Sequence, residues 1–270
     1  VLLRGGGVAG ESRSGRYERP DAATLRRALG EAIAPLGVGA GEAVRVGLCV
    51  PGILSDDRRR VVRAVNLPGL EGFDLRAGVE AHVPAVDGLR LTSDALASTY
   101  GYWWGERRPG RLLSLVIGTG VGACVLDDGV PLEVVDECPG HLGQMDVGAI
   151  GPGDAPVGPD GGRGSLEGYL GAAALTERFG ADRVAGLLAA ADDDPALVAL
   201  ARAIRIGHAI YRPAEVVLLG GVGTRLAPRR AAIERLARAE LTSIARPDWR
   251  LAFGASDRSG ATGAALLAGA

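Results

Sequence analysis

Apolar residues along this chain follow two rhythms. Short, nearly uninterrupted apolar runs at Val44–Val50, Leu89–Thr92, Leu112–Ile117, Gly122–Leu126, Val216–Leu219 and Trp249–Phe253 have the length and β-branched content of buried strands. Val61–Val65 predicts a further strand, broken by Asn66-Leu67-Pro68-Gly69, and Val1–Leu3 predicts a strand end followed by a loop to Pro20. Between these runs the spacing turns helical. Asp21 is placed to cap a helix over Ala22–Leu36 that carries Leu25, Leu29, Ile33 and Leu36 on one face. Further helices are predicted at Leu75–His82, Ala95–Trp104, Ser165–Leu170, Ala172–Phe179, Ala181–Ala191, Pro195–Tyr211, Arg229–Ile244 and Ala261–Ala268, the last rich in small residues. Gly118-Thr119-Gly120 turns one strand into the next, Asp127-Asp128-Gly129 predicts a hairpin, and Gly148–Gly164 predicts a long Gly-, Pro- and Asp-rich loop. Strands alternating with helices predict an α/β fold with a largely buried sheet.

Composition removes whole classes of function. Of 270 residues, 47% are hydrophobic and 23% charged, which excludes a disordered or fibrous chain. The longest apolar stretch, Leu112–Leu126, is too short and too polar to span a bilayer. The formal charge of −2 provides no basic field for nucleic acid. Cys49, Cys124 and Cys138 are too few and too far apart for a disulfide framework, so a soluble, cytoplasmic protein is expected. Every basic residue in the Lys+Arg count is arginine, so a phosphate loop of the Walker type, which needs a lysine, is excluded.

Candidate chemistry gathers at strand ends. Val50-Pro51-Gly52, Ile117-Gly118-Thr119-Gly120, Gly161-Gly162-Arg163-Gly164 and Leu219-Gly220-Gly221-Val222-Gly223 are Gly-rich junctions, where backbone N–H groups approach an anion closely. Asp94 follows a strand and opens a helix, so its carboxylate reads equally as a helix cap or as a general base. Glu167 has the same two readings. Asn66 suits an Asx turn or a polyol contact. Cys138 and His141 supply too few ligands for a metal centre. The Tyr100, Tyr102, Trp103 and Trp104 cluster reads as packing.

In order along the chain, VGLCVPGIL at Val46–Leu54, AVNLPGLEGFDL at Ala64–Leu75, SDALAS at Ser93–Ser98, LVIGTGVGACVLDDG at Leu115–Gly129, PGHLGQMDV at Pro139–Val147, GGRGSLEGYLG at Gly161–Gly171, PAEVVLLGGVG at Pro213–Gly223 and SGATGAALLAG at Ser259–Gly269 resemble the ROK (repressor, open reading frame, kinase) family of sugar kinases. The resemblance implies an actin-like (ribonuclease H-like) fold of two α/β lobes with a substrate cleft between them. The smaller lobe would span residues 1–110, completed by the helix at 259–270, and the larger lobe residues 111–258. Asp94 resembles the family's catalytic base, which deprotonates a primary hydroxyl for attack on the γ-phosphate of ATP with Mg²⁺. Asn66, Ser93, Asp94, His141, Gln144 and Glu167 resemble substrate ligands. Gly118, Thr119, Gly120, Gly220 and Gly221 resemble nucleotide contacts, and a homodimer is implied.

The departures from the family pattern carry expectations too. The family's Glu-x-Gly-His sugar motif falls on His141-Leu142-Gly143-Gln144. Its zinc ligands fall on Gln144, Gly158, Asp160 and Ser165, so no zinc is expected and no metal ligand is assigned. Ser93 stands where the family has Asn. These changes point away from plain glucose and toward a modified sugar, an amino sugar or a cyclitol. The family's opening Asp-x-Gly-Gly-Thr is not matched, and Val1-Leu2-Leu3 resembles its third strand, so a missing front hairpin is expected. A degenerate, non-catalytic sugar-binding protein is the alternative.

Overall fold

The computed structural model describes residues 1–15, 17, 20–39, 41–64, 67–134, 138–151, 153–256 and 258–270. Along the chain run β1 (Leu2–Arg4), β2 (Gly7–Gly10), α1 (Ala22–Ile33), β3 (Val44–Val50), β4 (Ile53–Leu54), β5 (Val61–Arg63), α2 (Leu75–Glu80), β6 (Val86–Ser93) and α3 (Asp94–Glu106). They continue with β7 (Arg111–Ile117), β8 (Val121–Asp127), β9 (Val130–Pro131), α4 (Leu166–Leu170), α5 (Ala172–Phe179), α6 (Arg183–Ala189), α7 (Pro195–Tyr211), β10 (Glu215–Leu219), α8 (Gly220–Gly223), α9 (Arg230–Glu240), β11 (Arg250–Phe253) and α10 (Ser259–Gly269). The chain divides into two units, Val1–Gly105 with Arg258–Ala270, and Glu106–Asp257.

In the first unit, β3 and β6 pair in parallel from Val44↔Val86 to Val50↔Ser93. Helix α1 starts where its sequence specifies, with Asp21 accepting from Thr24 N at 2.8 Å, and Leu25 buries its side chain among Val50, Leu54, Leu70 and Phe73. The closing helix α10 explains its own small residues. A Cβ on Gly47 of β3 would lie 1.9 Å from Ala264 O, and one on Gly263 would lie 1.8 Å from Ala97 O, so α10 packs backbone to backbone on β3 and α3.

The front of the chain departs from the expected loop. Gly7–Gly10 forms β2, antiparallel to β1, and Gly5 and Gly6 turn the hairpin with φ of 58° and 79°. Two successive positive φ values are what a tight hairpin of this hand requires, and two glycines adopt them without strain.

The second unit is built on a five-stranded sheet in the order β11-β10-β7-β8-β9. Strands β11, β10 and β7 are parallel, and β7, β8 and β9 form antiparallel hairpins. The turn into β9 places Asp128 and Gly129 at φ of 50° and 85°, the predicted Asp-Gly hairpin. Helix α7 begins at Pro195, with Asp194 accepting from Ala196 N at 2.9 Å while pairing with Arg178 at 2.6 Å. Its Leu197, Leu200 and Ile204 join Leu113, Leu115 and Ile117 of β7 in the core. Helix α9 ends at Glu240, short of the predicted Ile244, because Leu241 turns to extended backbone. Among the described residues no helix is long and apolar enough to cross a membrane.

Candidate active site

Asp94 is the first residue of α3, directly after β6. The cap of that helix is its neighbour: Ser93 Oγ accepts from Leu96 N at 3.2 Å. With capping assigned to Ser93, Asp94 stands as an exposed residue at the start of the helix. Crowding around the carboxylate nevertheless raises its pKa above the usual carboxylate range by desolvation, against the opposing pull of the Ala95 and Asp94 N–H groups. The parallel register pairs Val50 with Ser93, so the Pro51-Gly52 turn lies beside the start of α3. Gly52 is required there: its φ is 105°, and a Cβ would lie 2.1 Å from Arg63 O. Cys49, one residue before the end of β3, has its thiol pushed up to about 11 by burial and by the Asp94 charge. Asn66 lies outside the described residues.

In the second unit, the Gly118–Gly120 turn joins β7 to β8, and Gly118 N donates to Gly120 O at 2.9 Å. Thr119 is exposed at its tip, and its carbonyl accepts from Ala172 N at 2.9 Å. Glu167, in α4, is 7% exposed and accepts from Val121 N at 3.0 Å. A Cβ on Gly120 would lie 2.9 Å from that carboxylate, so the glycine is what admits Glu167 to the turn. Burial raises the Glu167 pKa, the Val121 N–H opposes the rise, and the nearby Asp160 charge adds to it.

Beside this turn, Leu142–Gln144 forms a single 3₁₀ turn. Gly143 lets it press against β8, where a Cβ would meet Val121 O at 2.0 Å. His141 is exposed at the start of that turn. Gln144 Nε2 donates to Asp160 Oδ2 at 2.7 Å and reaches Glu167 Oε2 at 3.5 Å. The structure thus brings Gln144, Glu167 and the Gly118–Gly120 turn into one neighbourhood. Sequence reasoning missed the part played by Asp160 and by Val121 N. Asp160 entered that reasoning only as a position aligned with a family zinc ligand, and the bonds that it and Val121 N make left no signal in the sequence.

Strand β10 runs parallel to β7, with Leu219 opposite Val116, so Gly220-Gly221 opens next to the end of β7. Gly220 has φ of 80°, and a Cβ there would lie 2.5 Å from Ile117 O, whereas a Cβ on Gly221 would meet nothing within 4 Å. The two Gly-rich turns therefore sit side by side at the carboxyl ends of adjacent parallel strands, where α/β sheets bind ligands.

No group of three or more His, Cys, Asp or Glu is placed to hold a metal among the described residues. The positions aligned with family zinc ligands do lie together: a Cβ on Gly158 would be 2.4 Å from Ser165 Oγ, and Gln144 bonds Asp160. Their donors are an amide, a carboxylate and a hydroxyl, a set without the thiolates and imidazole that zinc favours. Ser165 Oγ instead caps α4, accepting from Gly168 N at 3.1 Å.

A family model described as "ROK family" matches residues 11–270. An N-acetyl-D-glucosamine kinase from Erwinia tasmaniensis is 31% identical over 134 residues, which is 46% of this chain and 43% of that enzyme. The match therefore spans less than half the length of that relative. Among solved structures, a ROK family glucokinase from Streptomyces griseus in complex with glucose and AMPPNP superposes with a TM-score of 0.67 at 20% identity, covering 92% of this chain and 88% of that one. A ROK hexokinase from Thermus thermophilus superposes with a TM-score of 0.65 at 26% identity, covering 91% and 84%. The fold is that of these sugar kinases, the actin-like α/β fold.

Proposed function

The chain belongs to the ROK family, and we propose that it is an ATP-dependent carbohydrate kinase acting on a primary hydroxyl of a sugar or sugar-like substrate. Asp94 is the observation that carries this reading. It stands at the carboxyl end of a parallel strand, is relieved of capping by Ser93, is an exposed residue, and has a carboxyl raised toward the range useful to a general base. In this reaction Asp94 takes the hydroxyl proton, the substrate oxygen forms a bond to the γ-phosphorus, and the bond to the β-phosphate oxygen breaks to release ADP.

Phosphoryl transfer requires positioning and charge neutralisation more than covalent help from the protein. Gly118 N is spent on closing its turn, so the backbone N–H groups suited to the nucleotide are those of Thr119, exposed at the tip, Gly120, Gly220 and Gly221. Bound with ATP, Mg²⁺ would supply charge neutralisation for the transferring group, and no residue of this chain is assigned to hold it. Glu167 and Gln144 are the ligands for substrate hydroxyls, and the exposed His141 is a further candidate. The imidazole of His141 and the amide of Gln144 read a pattern of hydroxyls different from that read by the family's carboxylate and imidazole there, which supports an amino sugar, a modified hexose or a cyclitol as substrate.

The kinase reading is tested by coupled measurement of ADP release with Mg²⁺-ATP against hexoses, amino sugars, N-acyl amino sugars and cyclitols. Turnover of at least one compound, with plain glucose not the best by a wide margin, is the expected result. Saturable sugar binding without ADP release would indicate a sensing or binding member of the fold instead.

A further inference from the structure

Gln144 lies between two carboxylates. Its Nε2 donates to Asp160 Oδ2 at 2.7 Å and reaches Glu167 Oε2 at 3.5 Å. This fixes which way the amide points, because turning it over would set Oε1 against two acceptors. Both N–H groups are thereby directed to the protein. Oε1 is left facing Gly162, which has no side chain to cover it: even a Cβ there would stand 3.5 Å away. No described residue donates to Oε1.

The two bonds are unequal. The short, charge-assisted contact is with Asp160, and the long one is with Glu167, whose Oε2 already holds Val121 N at 3.0 Å. Asp160 is therefore the anchor. It sits in a tight turn closed by Gly161 N to Gly158 O at 2.9 Å and Gly158 N to Gly162 O at 2.8 Å, so its own backbone is held.

We propose that Asp160 is a positioning residue of the sugar site: by holding one N–H of Gln144 it locks that amide with Oε1 outward, so that Gln144 and Glu167 present only acceptors to the ligand. The substrate group read there is consequently a donor, that is, a ring hydroxyl, an ammonium or an amide N–H. A group that only accepts is refused because it would leave two acceptors unpaired. The inference rests on the kinase reading for its substrate but not for its geometry. The charge of Asp160 also acts on Glu167 directly, raising its pKa, which gives a second readout.

The test compares wild type with Asp160→Ala and Asp160→Asn in the full chain. Asparagine keeps an oxygen that accepts from Gln144 but loses the charge; alanine loses both. Asp160→Ala is expected to raise the sugar KM about tenfold while leaving the ATP KM within about twofold, and Asp160→Asn is expected to restore most of the sugar KM. The Glu167 titration, followed by carbon NMR of the carboxyl, is expected to move to lower pH in both variants. A merely structural role for the turn would move both KM values together without rescue by asparagine; that result, or an unchanged sugar KM in Asp160→Ala, overturns the proposal. If the wild-type chain turns over no sugar, the kinase reading fails by itself, and calorimetric sugar binding replaces KM. Binding about tenfold weaker in Asp160→Ala then sustains the role of Asp160, whereas equal binding, or none in wild type, overturns it.

Discussion

The carboxylate of Glu167 accepts the backbone N–H of Val121 at 3.0 Å, tying α4 to the first residue of the strand that leaves the Gly118–Gly120 turn. A single side chain thus links the proposed sugar contact to the proposed nucleotide turn within one unit. Removing it has a stability cost that is separable from activity.

Glu167→Ala leaves the Val121 N–H unpaired, and Val121 is only 7% exposed. A loss of about 1–3 kcal/mol is expected in urea denaturation. Glu167→Gln keeps an acceptor for that N–H and is expected to lose less than half as much. Equal losses in the two variants would argue that the hydrogen bond contributes little.

Gly263 is predicted to be intolerant of any side chain. Its Cβ would lie 1.8 Å from Ala97 O and 2.7 Å from Gly101 N, both backbone atoms that cannot swing away. Gly263→Ala should destabilise by about 1–3 kcal/mol or more through overpacking, while Gly269→Ala in the same helix, where a Cβ meets nothing within 4 Å, should change the thermal midpoint little.

His208 confers a pH dependence on stability. It is 1% exposed, its ring lies edge-on to Trp249 at 4.9 Å, and burial aided by the Arg238 charge pulls its pKa down to about 4. In the unfolded chain it titrates near 6.5, so the unfolded state takes up the proton first. Its full stabilising effect is present above about pH 6.5 and is lost as the pH falls toward 4, by an amount on the order of 3 kcal/mol. Urea midpoints at about pH 7 and about pH 4.5 should differ more in wild type than in His208→Phe. The same pH dependence in both proteins would contradict this.

Most of the scaffold could be read from the sequence because it follows from local rules. The apolar runs marked β3, β7, β8, β10 and β11, Asp21 and Pro195 marked helix starts, and Asp128-Gly129 marked a hairpin. The front hairpin was missed because β2 consists only of glycine, valine and alanine, with no alternation to separate it from a loop. At the candidate site, the sequence left Asp94 ambiguous between cap and base, and only the Ser93–Leu96 bond allots the cap. The Gln144–Asp160 bond joins residues 16 positions apart across a loop with no periodicity, so no local pattern could announce it. Gly120 was legible as a turn residue and Gly143 only as part of a family-like motif. Their reason, close approach of Glu167 and of Val121 O, exists only in the packed chain.

The central claim is that Asp94 is the base for phosphoryl transfer, and the most direct measurement is the pH–rate profile of sugar-dependent ADP release by wild type and Asp94→Asn. Wild type should lose activity as the pH falls through a midpoint above about 4, the ordinary carboxylate value, because the base works only when ionised and its pKa is raised. Asp94→Asn should lower kcat by about 10²–10⁴-fold and abolish that acidic limb while still binding sugar. An Asp94→Asn enzyme retaining wild-type kcat, or the same acidic limb, would contradict the account.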